Sequence, residues 1–420
     1  MNTQHAPART DAVSEHTDSP TFAELAVPRR LVTELTQLGI THALPIQAAT
    51  LPDTLAGHDV LGRGRTGSGK TLAFSIPMVA RLSASQTRRQ SKRPRALVLV
   101  PTRELANQVH TALKPLAKAA GLRTATVYGG VPQKAQAIAL RNGVDVVIAC
   151  PGRLEDLCNQ RVCDLSAVEI TVLDEADHMA DLGFLPGVKR LLDKTPQDGQ
   201  RMLFSATLDN GVDVLVRRYL QQPVTHSVDA VAAAPPAMTH HVLNVHGADK
   251  RPVVRELASG TGRSVLFTRT KHSAKRLAKQ LTDAGIPAVD LHGDLNQRAR
   301  ERNLAAFSTG GVRVLIATDI AARGIHVDDI SLVVHVDPPS THKAYLHRSG
   351  RTARAGNAGV VVTVATPDQR REVSGLIRQA EVKATQATVR PGASELRAIV
   401  GEPAASVAPS PHGPAASRPQ

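Results

Sequence analysis

Short apolar runs recur along the chain at intervals that suit strands separated by helices. In the first half they are Ala96–Val100, Asp145–Ala149, Ile170–Leu173 and Met202–Phe204, with helical patterns such as Glu104–Ala119 between them. The second half repeats the theme with Ser264–Phe267, Val312–Ala317 and Leu332–Val334 as strands, and Lys271–Ala284 and Gln297–Phe307 as helices. Strands that are apolar throughout are covered on both faces, and intervening helices are what cover them in a parallel sheet. The pattern predicts an α/β protein of two tandem parallel-sheet domains. Their boundary falls where Ala232-Ala233-Ala234-Pro235-Pro236 breaks the periodicity, and prolines stiffen such a linker. The expected organisation is a disordered tail over 1–20, a first domain over 21–228, a linker over 229–238, a second domain over 239–390 and a disordered Ala/Pro-rich tail over 391–420.

Bulk properties narrow the class. A chain of 420 residues, 42% of them hydrophobic, suits two domains better than one core. No apolar run approaches membrane-spanning length, and Met1–Pro20 has no apolar signal-peptide core, so a cytoplasmic protein is expected. The cysteines Cys150, Cys158 and Cys163 fit no metal spacing. Net charge is +14, and it lies in the folded parts: residues 21–228 carry 25 Lys and Arg against 18 Asp and Glu, and residues 229–390 carry 23 against 14. Such a surface is either merely solvated or a track for a polyanion. The basic loop Ser83–Arg95 is open to the same two readings. Aromatic content is 2% with no Trp. A nucleic acid would therefore be gripped by sugar and phosphate, with little reading of bases.

Two features carry chemistry. Gly64-Arg65-Thr66-Gly67-Ser68-Gly69-Lys70-Thr71 follows the apolar Asp59-Val60-Leu61 and precedes Leu72-Ala73-Phe74, the strand–loop–helix context of a phosphate loop. Backbone N–H groups of Arg65 to Gly69 turn onto the phosphates, Lys70 faces the β/γ oxygens and Thr71 offers a hydroxyl to Mg²⁺. About a hundred residues later, Ile170–Leu173 ends in Asp174-Glu175-Ala176-Asp177. Asp174 reads as the Mg²⁺-side carboxylate, Glu175 as the base that orients water, and Asp177 as a local brace. The pair of features says nucleotide hydrolysis.

The ordered motifs make the resemblance specific. They are the phosphate loop, Pro101-Thr102-Arg103-Glu104-Leu105, Gly129-Gly130, Pro151-Gly152-Arg153, the D-E-A-D run and Ser205-Ala206-Thr207. Then come Gln297-x-x-Arg300, Ala317-Thr318-Asp319-x-Ala321-x-Arg323-Gly324 and His347-Arg348-x-Gly350-Arg351-Thr352-x-Arg354. From about Phe22 to Val364 the chain resembles the DEAD-box ATP-dependent RNA helicases of superfamily 2, in a compact bacterial type. The resemblance implies two RecA-like domains with ATP in the cleft between them, and RNA-stimulated hydrolysis. It gives Arg351 and Arg354 the role of arginine fingers on the γ-phosphate and places His347 beside them among the catalytic residues. It adds Asp319 and Gly324 to the nucleotide site, and Phe22 and Gln47 (in Pro45-Ile46-Gln47) to adenine recognition. It assigns RNA to Thr102, Arg103, Gly130, Gly152, Arg153, Gln297, Arg300 and Thr318, and makes Ser205 and Thr207 the coupling pair. Closure on ATP then bends one strand so that short duplexes fall apart locally.

The chain departs from the family at Ile40, where an aromatic is expected, at Ala43-Leu44, and at Ile325-His326, where an acid is expected. Ala353 stands for a glycine and Cys150 for a threonine, and both are expected to be tolerated. Ile40 is expected to weaken ATP binding and His326 to weaken coupling, so His326→Asp is expected to raise RNA-stimulated hydrolysis. The same residues would serve an RNA clamp, and strand displacement against RNA retention separates clamp from helicase. A DNA translocase is distinguished by competition of the RNA-stimulated ATPase. The expected partner is RNA, with ribosomal or mRNA-decay complexes among the settings left open, and the chain is expected to act as a monomer.

Overall fold

In the computed structural model the described residues are 19–64, 67–207, 210–228, 238–322, 327, 329–353 and 358–407. They form two compact units, each built on one seven-stranded sheet. The first sheet holds β1 (Val60–Arg63), β2 (Ala96–Leu99), β3 (Thr124–Val127), β4 (Val146–Ala149), β5 (Ile170–Asp174), β6 (Gln200–Ser205) and β7 (Val224–Ser227). Their order is β3-β4-β2-β5-β6-β1-β7. β2 pairs with β4 and β5, β6 with β5 and β1, and β1 with β7, all in parallel register. Every residue of β2, β4, β5 and β6 is buried, whereas the edge strand β7 alternates half-buried and exposed. That contrast explains which strands announce themselves as apolar runs.

The second sheet holds β8 (Met238–Asn244), β9 (Arg263–Phe267), β10 (Ala288–Leu291), β11 (Val314–Ala317), β12 (Ile330–His335), β13 (Gly359–Ala365) and β14 (Ala384–Thr388). Its order is β10-β11-β9-β12-β13-β8-β14, again parallel. Counted from its own first strand, this is the strand order of the first sheet. Neighbours along a strand point to opposite faces. So Val265, Leu315, Val333 and Val361 enter one core, and Leu266, Ile316, Val334 and Val362 the other.

Two sequence expectations change here. The segment after residue 390 is not all tail: Ser394–Val400 is a helix whose Leu396 is fully buried in the second core, beside Val254 and Leu257. Beyond it, Ala404 N–H donates to Ser259 (2.8 Å) and Val407 N–H to Gly285 (2.9 Å). The Ala/Pro-rich composition hides one apolar stripe, and that stripe suffices to dock the segment. The basic loop also resolves. Arg89 pairs with Asp145 (2.6 Å), Arg93 with Asp164 (3.1 Å) and Arg95 with Glu169 (2.7 Å). Those three guanidiniums fasten the loop to its own unit. Residues 1–18, 229–237 and 408–420, which hold most of both expected tails and of the linker, lie outside the described residues.

Candidate functional site

Three neighbouring strands of the first sheet, β5, β6 and β1, end where the chemistry begins. β1 runs into the glycine loop, and the helix Lys70–Ala84 starts directly after it. Gly69 caps that helix at φ +89°, and a Cβ there would sit 2.5 Å from Gln47 Nε2 and 2.6 Å from Leu44. Only glycine fits so close an approach at that φ. Lys70 is buried, its Nζ donating to the Gly64 carbonyl at 2.6 Å. The Ser68 hydroxyl is buried without a hydrogen-bond partner, which suits an anion seated on the loop. Thr71 follows in the first helical turn. Arg65 and Thr66 lie outside the described residues.

β5 delivers the acids. Asp174 is 3% exposed. Burial pushes its carboxyl up to about 7, and Glu175 and Asp177 push the same way against the pull of Lys70. A buried carboxylate under-compensated by cations is a fit for a divalent ion. Among the described residues no three metal-ligating side chains converge. Mg²⁺ is held by one or two carboxylates plus substrate phosphate rather than by a protein cage, so Asp174 and Thr71 suit it.

Glu175 takes φ +51° and ψ +51° as the N-cap of the helix Ala176–Asp181. A non-glycine residue there is strained, and such strain collects at functional sites. Asp177 is the brace that the sequence suggests. Its Oδ2 accepts from the Thr207 N–H (3.0 Å) and hydroxyl (3.1 Å), and its own N–H donates to Ser205 Oγ (3.3 Å). Ser205 and Thr207 are thereby joined to the acid run.

The other half of the sheet, β3-β4-β2, leads into the residues expected at RNA. Thr102 Oγ1 caps the helix Arg103–Ala119 by accepting from Leu105 N–H at 3.2 Å. Gly130, at φ +78°, leaves room for the Arg103 guanidinium, which a Cβ would meet at 2.1 Å. After β4, Gly152 is exposed with open space around it, and Arg153 is half-buried in the first turn of the helix Pro151–Asn159.

In the second unit, Asp319, His347, Arg348 and Arg351 line one small depression with Phe267, Ala322 and Ala344. Asp319 holds Arg348 through both oxygens, at 2.5 and 2.8 Å, and the Arg348 guanidinium lies 5.0 Å over the Phe267 ring. His347 and Arg348 sit on the helix His342–Ser349. Gln297 opens the helix Gln297–Ser308 and donates to Glu301 at 2.7 Å. Thr318 follows β11 and is half-buried. Arg354, Gly324 and His326 lie outside the described residues.

The DEAD/DEAH box helicase family matches residues 44–215, and the helicase conserved C-terminal domain matches residues 249–356. The maize chloroplastic DEAD-box ATP-dependent RNA helicase 3A is 42% identical over 373 residues, 86% of this chain and 49% of its own length. The chain belongs to the DEAD-box ATP-dependent RNA helicases. The mitochondrial DEAD-box ATP-dependent RNA helicase 9 of Arabidopsis thaliana is 38% identical over 363 residues, 85% of this chain and 59% of its own length. The chain thus spans about half the length of these curated relatives. Among solved structures, S. cerevisiae Dbp5 bound to RNA and ADP BeF3 is similar, with a TM-score of 0.77 and 28% identity over 88% of this chain and 95% of that one. The two-domain RecA-like fold is confirmed.

Several expectations for this DEAD-box chain are corrected. The expected cytoplasmic location does not stand, because relatives 42% and 38% identical to this chain are named for the chloroplast and the mitochondrion. These relatives are plant and fungal, so they do not support the bacterial type. Phe22 is 1% exposed, turned into the core by a fold-back in which Val27 N–H donates to its carbonyl; it has no open face for adenine. Gln47, also 1% exposed, accepts from Leu44 N–H (2.9 Å) and donates to the Gly69 carbonyl (3.0 Å). Its amide fastens the loop, leaving one N–H and one lone pair for a base. Arg300 is 7% exposed and donates to the Ala321 carbonyl at 2.7 Å, so it braces the turn after β11 rather than lying open.

Sequence reasoning missed His178. Its Nδ1–H donates to Glu175 Oε2 at 3.0 Å, both side chains are buried, and Nε2 has no hydrogen-bond partner. The signal was the i,i+3 spacing from Glu175 across a helix start. Ala353 proves costlier than expected, since it takes φ +54°. The left-handed region costs a non-glycine residue about 1–2 kcal/mol, and glycine's freer unfolded chain offsets about 0.4–1 of that. Ala353→Gly is expected to raise stability by about 0.5 kcal/mol, read as a higher urea midpoint at unchanged slope.

Proposed function

We propose that this chain binds ATP with Mg²⁺ on the first unit and hydrolyses it when RNA is bound. Closure of the two units on ATP then opens short RNA duplexes locally or remodels RNA–protein complexes. The observation that carries the reading is the placing of Lys70 after β1 and of Asp174 and Glu175 at the end of β5, on either side of β6, with Asp177 tied to Thr207.

Lys70 and the helix N-terminus offset phosphate charge. Asp174 and Thr71 would hold the Mg²⁺, which supplies further neutralisation of the phosphate oxygens. Glu175 accepts the proton of the attacking water. Arg351 and Arg354 stabilise charge on the transferring phosphoryl group. Thr102, Arg103, Gly130, Gly152, Arg153, Gln297 and Thr318 grip phosphate and ribose, where the 2′-OH selects RNA. The Asp177 bonds to Ser205 and Thr207 support their role in linking nucleotide state to RNA grip. The test is ATP hydrolysis with and without single-stranded RNA, alongside displacement of a short duplex. Hydrolysis indifferent to RNA, or stimulated equally by DNA, would overturn the reading. RNA retention without displacement would leave a clamp.

His178 is assigned to holding Glu175 in its strained conformation. A hydrogen bond to a charged group is worth about 1.5–3 kcal/mol, so His178→Ala should lower kcat about 10- to 150-fold with KM for ATP unchanged. His178→Asn, which keeps a donor, should recover part of the loss. A change confined to KM would show that His178 acts on binding instead.

A further inference from the structure

The helix Pro151–Asn159 ends in a tight reversal. Arg161, at φ +58°, donates its N–H to the Cys158 carbonyl (3.0 Å), and Val162 donates to Leu157 (2.9 Å). This is the two-bond helix stop that folds the chain back over its own last turn. Cys163 N–H continues it with a bond to the same Leu157 carbonyl (3.3 Å), which sets residue 163 against the turn that holds Cys158. The helix stop thus places the two side chains close enough for each to act on the other's ionisation, a hydrogen bond from Cys163 to Cys158 being the leading cause. Cys163 is 4% exposed and Cys158 is half-buried.

We propose that Cys158 and Cys163 form a modification site, a dithiol that hydroperoxides oxidise reversibly to an intramolecular disulfide. The two thiols are unequal, as such chemistry needs. The bond from Cys163 lowers the Cys158 thiol, Lys194 helps, and burial, Asp164 and Glu155 oppose. The same bond and burial raise Cys163. Lys194 is held at this helix end by its bond to Asn159 Oδ1 (3.2 Å). Cys158, the more accessible of the two, is therefore the attacking sulfur, and the buried Cys163 behind it the resolving one.

In the first step the Cys158 thiolate attacks one peroxide oxygen. The O–O bond breaks, a sulfenic acid forms and hydroxide leaves. In the second, the Cys163 sulfur attacks the Cys158 sulfur and its proton goes to the departing hydroxide, so the S–O bond breaks and water leaves. Two thiols are oxidised by two electrons as one peroxide is reduced to two waters. Cys150 caps the opposite end of the helix, about 12 Å from Cys158 by the helical rise, too far to join it.

The experiment treats the full chain with hydrogen peroxide and counts thiols by alkylation and intact mass. The expected result is loss of two of the three thiols as a monomer lacking two hydrogens, restored by dithiothreitol. Cys163→Ser should accumulate a sulfenic acid on Cys158 that a dimedone probe traps. Cys158→Ser should leave Cys163 unlabelled. Retention of all three thiols in the parent, a bridge through Cys150, or dimedone trapping on Cys163 would overturn the proposal.

Discussion

Glu175→Gln should bind ATP and RNA as the parent does and turn over about 10²–10⁴-fold more slowly, the usual range for removing a general base. The substitution suits the site because it changes basicity and little else. Glutamine keeps the volume, and its Oε1 still accepts from His178 Nδ1–H at the position where Glu175 Oε2 does now, 3.0 Å away. The strained N-cap conformation should therefore survive. The variant should hold RNA in the ATP state, because closure no longer ends in phosphate release. Single-turnover hydrolysis at saturating RNA, with filter retention of labelled RNA, measures both. Near-normal kcat would remove Glu175 from the mechanism. A loss matched by His178→Ala would mean that geometry, not basicity, limits the step.

RNA affinity should fall with salt far less than a net charge of +14 suggests. Counterion release counts cations that reach phosphate, not total charge. Arg89, Arg93, Arg95 and Arg348 are paired with acids of their own unit. Of the proposed contacts, Arg103 and Arg153 carry charge on half-buried side chains, whereas Arg300 is buried against the Ala321 carbonyl. With single strands each contributes about −0.7 to the slope of log affinity on log salt, so the slope should be about −1.4. Raising salt fourfold should then weaken binding about sevenfold. Binding of a homopolymer and a mixed sequence should agree, given aromatic content of 2%. A slope steeper than about −5 would mean that the basic surface as a whole forms the track. A strong preference for one sequence would mean that bases are read after all.

The legible parts of this fold were those buried on both faces. β2, β4 and β5 are continuous apolar runs because no face of them meets water. β7 and β14 lie at sheet edges, half-buried or exposed, and read as ordinary polar segments. β13 carries the same apolar signal as the central strands, but it follows closely on the arginine motif and is overshadowed by it. In the site, the glycine loop and the acids were legible because phosphate chemistry needs those residue types at that spacing. Phe22 was not, since a lone aromatic reads the same whether it packs inside or waits for a ligand. His178 was not, because its contact depends on the left-handed turn at Glu175. Arg300 and Gln47 show the same limit: their chemistry is plain in the sequence, but the partner that claims it is not.

The shared strand order has a consequence for the unit without a glycine loop. Lys70 opens the helix after the first strand of its sheet, and Asp174 ends the fifth. Lys250 opens the helix after β8, and Asp337 lies two residues past β12, close to the same two stations of the duplicated frame. There the ammonium and the carboxylate meet directly, Lys250 Nζ to Asp337 Oδ1 at 3.1 Å. The second unit thus carries a lysine and an acid joined directly as an ion pair, so each charge there is answered from within the unit.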